Sequence, residues 1–346
     1  MMHEDGPVTY SIDRVAPKPL RWLWDGVIPR GKLTVLAGDP GMGKSLLTLD
    51  VASRASSGAG WPCGAPGGGA SAVVLLSAED DPADTVRPRL EGLGADLSRV
   101  VVLDSVREQG RYADFDLSCH TPELREAIAA AREAHGDVGL VVIDPVSAFV
   151  GATDSYNNAH VRAMLKPLAE IAADEAVAVV LVTHLRKSAE GPAVQRAMGS
   201  LAFAAAARVV LMATRHPDDP GLRVLSCAKS NLAPDRRAFL YAIEDDAGRP
   251  RPVWHGQFAG STDELLAGGH APGRRASVEM LAFTRAVHEH LAREGRLPLE
   301  MAEALATRHG VAWATAKAVE SKRRMGVRSV REDGAWAWVA GEEQDE

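Results

Sequence analysis

The sequence predicts an α/β fold: a mostly parallel sheet flanked by helices, followed by a small α+β domain. Three observations carry that prediction. Between residues 33 and 242, short runs rich in Val, Leu and Ile alternate with amphipathic or polar stretches, as in strands buried on both faces by crossover helices. A glycine-rich loop stands between the first of these runs and a helical stretch. After residue 254 the chain turns to Gly, Pro, Ser and His, and beyond this linker the apolar spacing reads helix, helix, turn, helix and two short strands.

Strands are expected at 33–37, 72–77, 100–103, 139–143, 177–183, 208–213 and 223–227, each an apolar run. Helices are expected at 46–54, 82–93, 122–135 and 159–174. The second of these opens on Asp80-Asp81-Pro82, an acidic start with proline at the first helical position. Residues 56–69, rich in Gly, Pro and Ala, read as a surface loop. Ahead of the first strand, Leu20-Arg21-Trp22-Leu23-Trp24 carries two indoles that would anchor an N-terminal arm across the sheet or on an adjoining subunit.

A chain of 346 residues suits one large and one small domain, because single cores rarely grow past about 250–300 residues. The expected division is a large domain over 1–254 with an arm at 1–30, a linker at 255–275, a small domain at 276–341 and an acidic tail at 342–346. In the small domain, helices at 278–293, 299–308 and 313–325 precede a hairpin turning at Asp333-Gly334, the order of a winged helix.

No apolar run approaches the roughly 20 residues needed to cross a bilayer, and the acidic, polar N-terminus lacks the features of a secretory signal, so a cytoplasmic location is expected. Cys63, Cys119 and Cys227 stand far apart without a CxxC pair, which indicates neither a disulfide framework nor a zinc site. A net charge of −7 argues against a surface coated for nucleic acid but leaves room for a local basic patch.

Gly38-Asp39-Pro40-Gly41-Met42-Gly43-Lys44-Ser45 matches G-x-x-x-x-G-K-[ST] in full, with an apolar strand before it and a helix from Leu46 after it. In such a loop the glycines let successive N–H groups and the helix N-terminus face phosphates. Lys44 would reach the β- and γ-phosphates of ATP, and Ser45 would offer a hydroxyl to Mg²⁺. The partner carboxylate is expected from Asp144, which ends the apolar strand Leu140-Val141-Val142-Ile143. Glu79, just beyond the strand at 72–77, is the candidate to orient or deprotonate water; the other reading makes it a helix cap, for which Asp80 and Asp81 are better suited. His184, at the end of another strand, would lie on the same edge and report the state of the γ-phosphate, unless it is only a structural donor.

These residues resemble the RecA-type ATPases, and within them the RepA-like hexameric replicative helicases of plasmids and phages, over about two thirds of the chain. The resemblance rests on Gly38–Ser45, Leu76-Ser77-Ala78-Glu79-Asp80, Val141-Val142-Ile143-Asp144-Pro145, Val182-Thr183-His184, Met198-Gly199-Ser200 and Cys227-Ala228-Lys229-Ser230-Asn231. It implies a RecA-like sheet, rings with ATP between neighbours, and basic residues acting on the next subunit's γ-phosphate, at positions matching Arg208 and Lys229. Each of these could instead be an ordinary surface or paired charge.

Single-stranded DNA is the expected polymer partner, with a primase or replication initiator as a possible protein partner. The loop at 185–198 carries Arg186, Lys187 and Arg196 among Gly, Pro and Ser, basic and pliant enough to follow a phosphate backbone, although it has no aromatic platform for bases. A second loop, at 147–158, would also face a ring's centre. In the small domain Lys317, Lys322, Arg323 and Arg324 gather toward one side and the end of the third helix, as on a recognition helix or simply a solvated face; the stretch resembles the winged-helix tails of related mobile-element ATPases. The reading that unites these features is a ring-forming DNA motor; an ATP-switched DNA-binding regulator without unwinding activity would use the same parts.

Overall fold

In the computed structural model, residues 9–151, 158–184, 201–217, 219–233, 237–246, 248–258, 278–317, 322, 325, 327–332 and 335–341 are described. Nine strands form the central sheet: β1 (Leu33–Gly38), β2 (Ala72–Ser77), β3 (Val100–Val102), β4 (Val138–Asp144), β5 (Ala178–His184), β6 (Val209–Arg215), β7 (Leu222–Ser230), β8 (Ala238–Asp246) and β9 (Arg249–Gln257). Their order across the sheet is β9-β8-β7-β6-β1-β5-β4-β2-β3. Strands β1 to β6 pair in parallel, and β7, β8 and β9 extend the sheet antiparallel beyond β6.

The parallel strands read as continuous apolar runs because both faces are covered. On one face Val35, Val141, Ile143 and Leu181 pack with Leu124 and Ile128 of α3 (Thr121–His135) and Leu165 and Leu168 of α4 (Asn158–Glu175). On the other, Leu36, Val142 and Val180 meet Leu47 and Val51 of α1 (Lys44–Ser57) and Leu90 of α2 (Arg87–Gly92). A short helix α5 (Leu201–Ala206) leads into β6.

Parallel pairing brings the carboxyl ends of these strands to one edge. Gly38 lies opposite His184 on one side and Ala213 on the other, and Ser77 lies opposite Asp144. This edge is where ligands bind in open α/β sheets.

Two strands depart from expectation. The sheet does not stop near residue 242, and the linker composition that begins at His255 overlaps β9, which runs to Gln257. Pro250 and Pro252 disguise β9, since proline cannot donate to a ladder; they are accommodated because β9 is an edge strand, paired only with β8. The stretch at 56–69 is not a plain surface loop either. Trp61, beside the 3-10 turn Pro62–Gly64, is buried and stacks on Trp24 with centroids 5.5 Å apart and planes 8° from parallel.

The arm's indole therefore packs within its own chain, with Trp24 also against Phe239 and Trp254. Arg30 fixes the start of β1 by donating to Asp137 at 2.7 and 2.8 Å and to the carbonyls of Val138 and Ala176. The helix expected at 82–93 opens instead as a π-turn, Pro82–Val86, before α2; Pro88 has no N–H to donate one α-turn back. Its cap is Asp81, whose carboxylate accepts from the amides of Ala83 and Asp84 at 2.7 and 3.1 Å. Glu79 is thus not the cap.

The C-terminal residues form α6 (Val278–Glu294), β10 (Leu297–Pro298), α7 (Leu299–Arg308), α8 (Trp313–Ala316), β11 (Val327–Glu332) and β12 (Ala335–Ala340). They carry their own core of Phe283, Val287, Leu297, Ala302, Ala306 and Trp338, and a sheet ordered β10-β12-β11. The short strand β10 had no signal in the sequence, and of the helix expected at 313–325 the structure describes Trp313–Ala316 as α-helix. The proposed linker beyond residue 258 and the tail from 342 lie outside the described residues.

Candidate nucleotide site

The loop between β1 and α1 has the shape its glycines allow. Gly41 and Gly43 adopt φ of 79° and 80°, in the left-handed region that favours glycine, and Gly43 is the N-cap of α1. A Cβ on Gly38 would stand 2.6 Å from the carbonyl oxygen of Ala213, so only glycine lets β1 and β6 meet there. From the far side, Tyr241 donates its hydroxyl to the carbonyl of Met42 at 2.8 Å, and Ile243 presses on Gly43. Thus β8, which the sequence did not announce, holds the back of the loop.

Lys44 is buried, with its ammonium donating to the carbonyls of Gly38 at 2.9 Å and Asp39 at 3.2 Å. It also meets His184 Nδ1 at 3.2 Å. Burial pulls its pKa below the usual lysine range, against the opposing attraction of Asp144, Asp39 and Glu79. Since a lysine ammonium only donates, His184 Nδ1 accepts, and Nε2 carries the ring proton of the neutral imidazole. That Nε2 faces Glu79 Oε1 at 3.9 Å. Burial and the neighbouring Lys44 charge both lower the His184 pKa, which keeps the ring neutral at pH 7.

Asp144 ends β4 and is buried; burial pushes its carboxyl up to about 6 against the hydrogen bond from Ser45, with Asp80 and Glu79 adding to the rise. Thr48, one turn beyond Ser45 on the same helix face, places its hydroxyl 3.4 Å from Asp144 Oδ2. Sequence reading missed Thr48; the i,i+3 spacing from Ser45 was the available signal. Asp80, next to Glu79, is held by Arg89 of α2 at 2.8 Å.

The residues fit a magnesium nucleotide. The loop leaves no room for side chains at Gly38, the hydroxyl of Ser45 and the carboxylate of Asp144 form an oxygen-only donor pair suited to a hard cation, and Lys44 supplies positive charge beside them. Gly38, Asp39, Pro40, Gly41, Met42, Gly43, Lys44, Ser45 and Leu46 form the loop and helix start, and the structure brings Glu79, Asp144 and His184 to them.

The remaining candidates lie elsewhere. The amide of Arg208 donates to Leu33 and Lys229 pairs with Val210, so both stand at the opposite end of β1 and β6 from Gly38. Lys229 donates to the carbonyl of Ala207 at 2.8 Å, and burial with the nearby Arg208 lowers its pKa. In the small domain Lys317 is exposed, while Lys322 is half-buried and donates to Ser329 at 3.0 Å. Arg186, Lys187, Arg196, Arg323 and Arg324 lie outside the described residues.

No helix among the described residues is long and apolar enough to cross a membrane. A search of curated proteins found no match. A family model described as AAA domain matches residues 6–190, more than half of the chain, spanning the arm, the phosphate loop, Glu79, Asp144 and His184. On that match, and on a mostly parallel sheet that gathers these groups at one edge, the chain belongs to the AAA-domain family of P-loop ATPases.

Proposed function

We propose that the protein is an ATP-hydrolysing, single-strand-DNA-dependent motor that works as a ring, of the RepA-like replicative helicase kind, with a winged-helix-like module at its C-terminal end. The observation that carries this reading is the chain of contacts from Lys44 through His184 to Glu79, which links the phosphate-binding ammonium to the group suited to act on water.

Lys44, the loop amides and the N-terminus of α1 bind and orient the β- and γ-phosphates of ATP. Ser45 and Asp144 would hold Mg²⁺, which would supply positive charge against the phosphate oxygens. Glu79, largely exposed to solvent, accepts the proton of an attacking water. His184 faces Glu79 from Nε2 and accepts from Lys44 at Nδ1, so a change at the γ-phosphate would be felt at the end of β5. Arg208 and Lys229, at the opposite end of β1 and β6 from their own subunit's loop, would serve a neighbour's γ-phosphate in a ring. The exposed Glu79 carboxylate beside the His184 ring suits hydrolysis better than transfer to a chosen alcohol.

The test is ATP turnover by wild type and Glu79→Gln, with and without single-stranded DNA, alongside native mass measurement with ATP. DNA should accelerate wild-type turnover, the mass should report a ring, and Glu79→Gln should bind ATP while losing about a hundredfold or more in turnover. Turnover indifferent to DNA together with a monomeric mass would sink the motor and favour an ATP-switched regulator.

A further inference from the structure

The basic loop at 185–198 offers no aromatic platform, yet an exposed one stands elsewhere. Beyond β3, residues 105–114 form a two-stranded hairpin, Ser105–Glu108 with Arg111–Asp114, closed by Gln109 and Gly110 with φ of 49° and 80°, the twist a tight hairpin turn requires. Val106 and Ala113 pair on one face and pack into the core, so the opposite face is turned outward. That outward face carries Arg107 directly across from Tyr112.

Tyr112 is 72% exposed. Its ring is set by Arg107, whose guanidinium lies 5.0 Å from the ring centroid and donates to the phenolic oxygen at 2.8 Å. The hairpin is anchored as well as the ring: Glu108 meets His120 Nε2 at 2.8 Å, and His120 Nδ1 accepts from the Asp116 amide at 2.9 Å. An exposed aromatic ring is therefore presented on a braced element, with a cation over it.

Its position matters too. Val102 pairs with Leu75, so the hairpin leaves the sheet from the same edge as Ser77 and Asp144. Its base packs on the turn Val146–Phe149: the Leu117 amide donates to the Phe149 carbonyl at 2.8 Å, and Phe115 and Phe149 meet edge to face. That turn opens the second loop, at 147–158, expected to face a ring's centre.

We propose that Tyr112 and Arg107 form a base-stacking platform for single-stranded DNA, the ring stacking a base and the guanidinium meeting the adjoining phosphate. This recognition is indifferent to sequence, because every base has a π-face. The inference rests on the DNA-dependent reading above and adds the residues that would grip bases.

The decisive experiment measures binding of a fluorescent oligothymidine to the full chain with a non-hydrolysable ATP analogue, for wild type, Tyr112→Ala, Tyr112→Phe and Arg107→Ala. Tyr112→Ala should weaken binding about tenfold or more, Tyr112→Phe should stay near wild type, and Arg107→Ala should lose affinity and part of the salt dependence. ATP turnover without DNA should be unchanged in all three. Wild-type binding that survives Tyr112→Ala intact overturns the platform alone; absence of binding by wild type overturns it together with the motor reading. A loss of ring mass in Tyr112→Ala would make the patch a subunit contact and overturn it as well.

Discussion

Arg30 shows how much one side chain can hold. Its guanidinium makes four hydrogen bonds to Asp137 and to the carbonyls of Val138 and Ala176, tying the arm to the start of β4 and the turn before β5. Arg30→Met should cost about 1–3 kcal/mol in denaturant unfolding, because it strands those carbonyls. The pair also sets a pH dependence. Arg30 lowers the Asp137 pKa from its ordinary 3.8, so the stabilisation is complete above that unfolded value and is lost as pH falls through the lower folded one. The difference between wild type and Arg30→Met should therefore shrink in strong acid. The residues of the nucleotide site were easier to read than this one. Lys44, Ser45, Asp144 and His184 each follow an apolar run that delivers them to one edge. Arg30 and Thr48 belong to no such contiguous pattern, and their partners appear only once distant segments meet.

At the scale of elements, the parallel strands were legible because burial on both faces leaves only apolar residues in them. The later strands were not. Prolines mask β9, and the polar hairpin at 105–114 alternates too briefly to stand out. Yet β9 supports the helix that follows the phosphate loop: the Trp254 indole N–H donates to buried Asp50 of α1 at 3.0 Å, and Arg54 pairs with the same carboxylate at 2.9 Å. Trp254 also joins Trp24, Phe239 and Tyr241 in one aromatic cluster. Trp254→Phe should retain most of the packing and lose the hydrogen bond, lowering stability by about 1–3 kcal/mol. A thermal melt compared with Trp254→Ala, expected to cost about 3–5 kcal/mol, separates the two contributions.

At the scale of the whole molecule, the family match ends at residue 190, whereas the support of the phosphate loop lies beyond it, in Tyr241, Ile243 and Trp254. A chain cut after residue 258 should therefore keep nucleotide affinity, and one cut after residue 233 should lose both a cooperative melt and ATP binding. Nucleotide-dependent shifts in melting temperature for the two fragments check this. The motifs name the chemistry in a short span because reacting groups sit at strand ends. The scaffold that shapes them is spread over the chain and carries no signature of its own.

The register of β1 and β6 has one more consequence. Gly38 stands at one end of that pair of strands and Arg208 at the other. Should the arginine of one molecule reach the phosphates of the next, the surfaces joined are unlike, and a twofold dimer cannot satisfy both. Each molecule then offers a socket at one side and a plug at the other, an arrangement that propagates head to tail until rotation closes it on itself or it runs on as a filament.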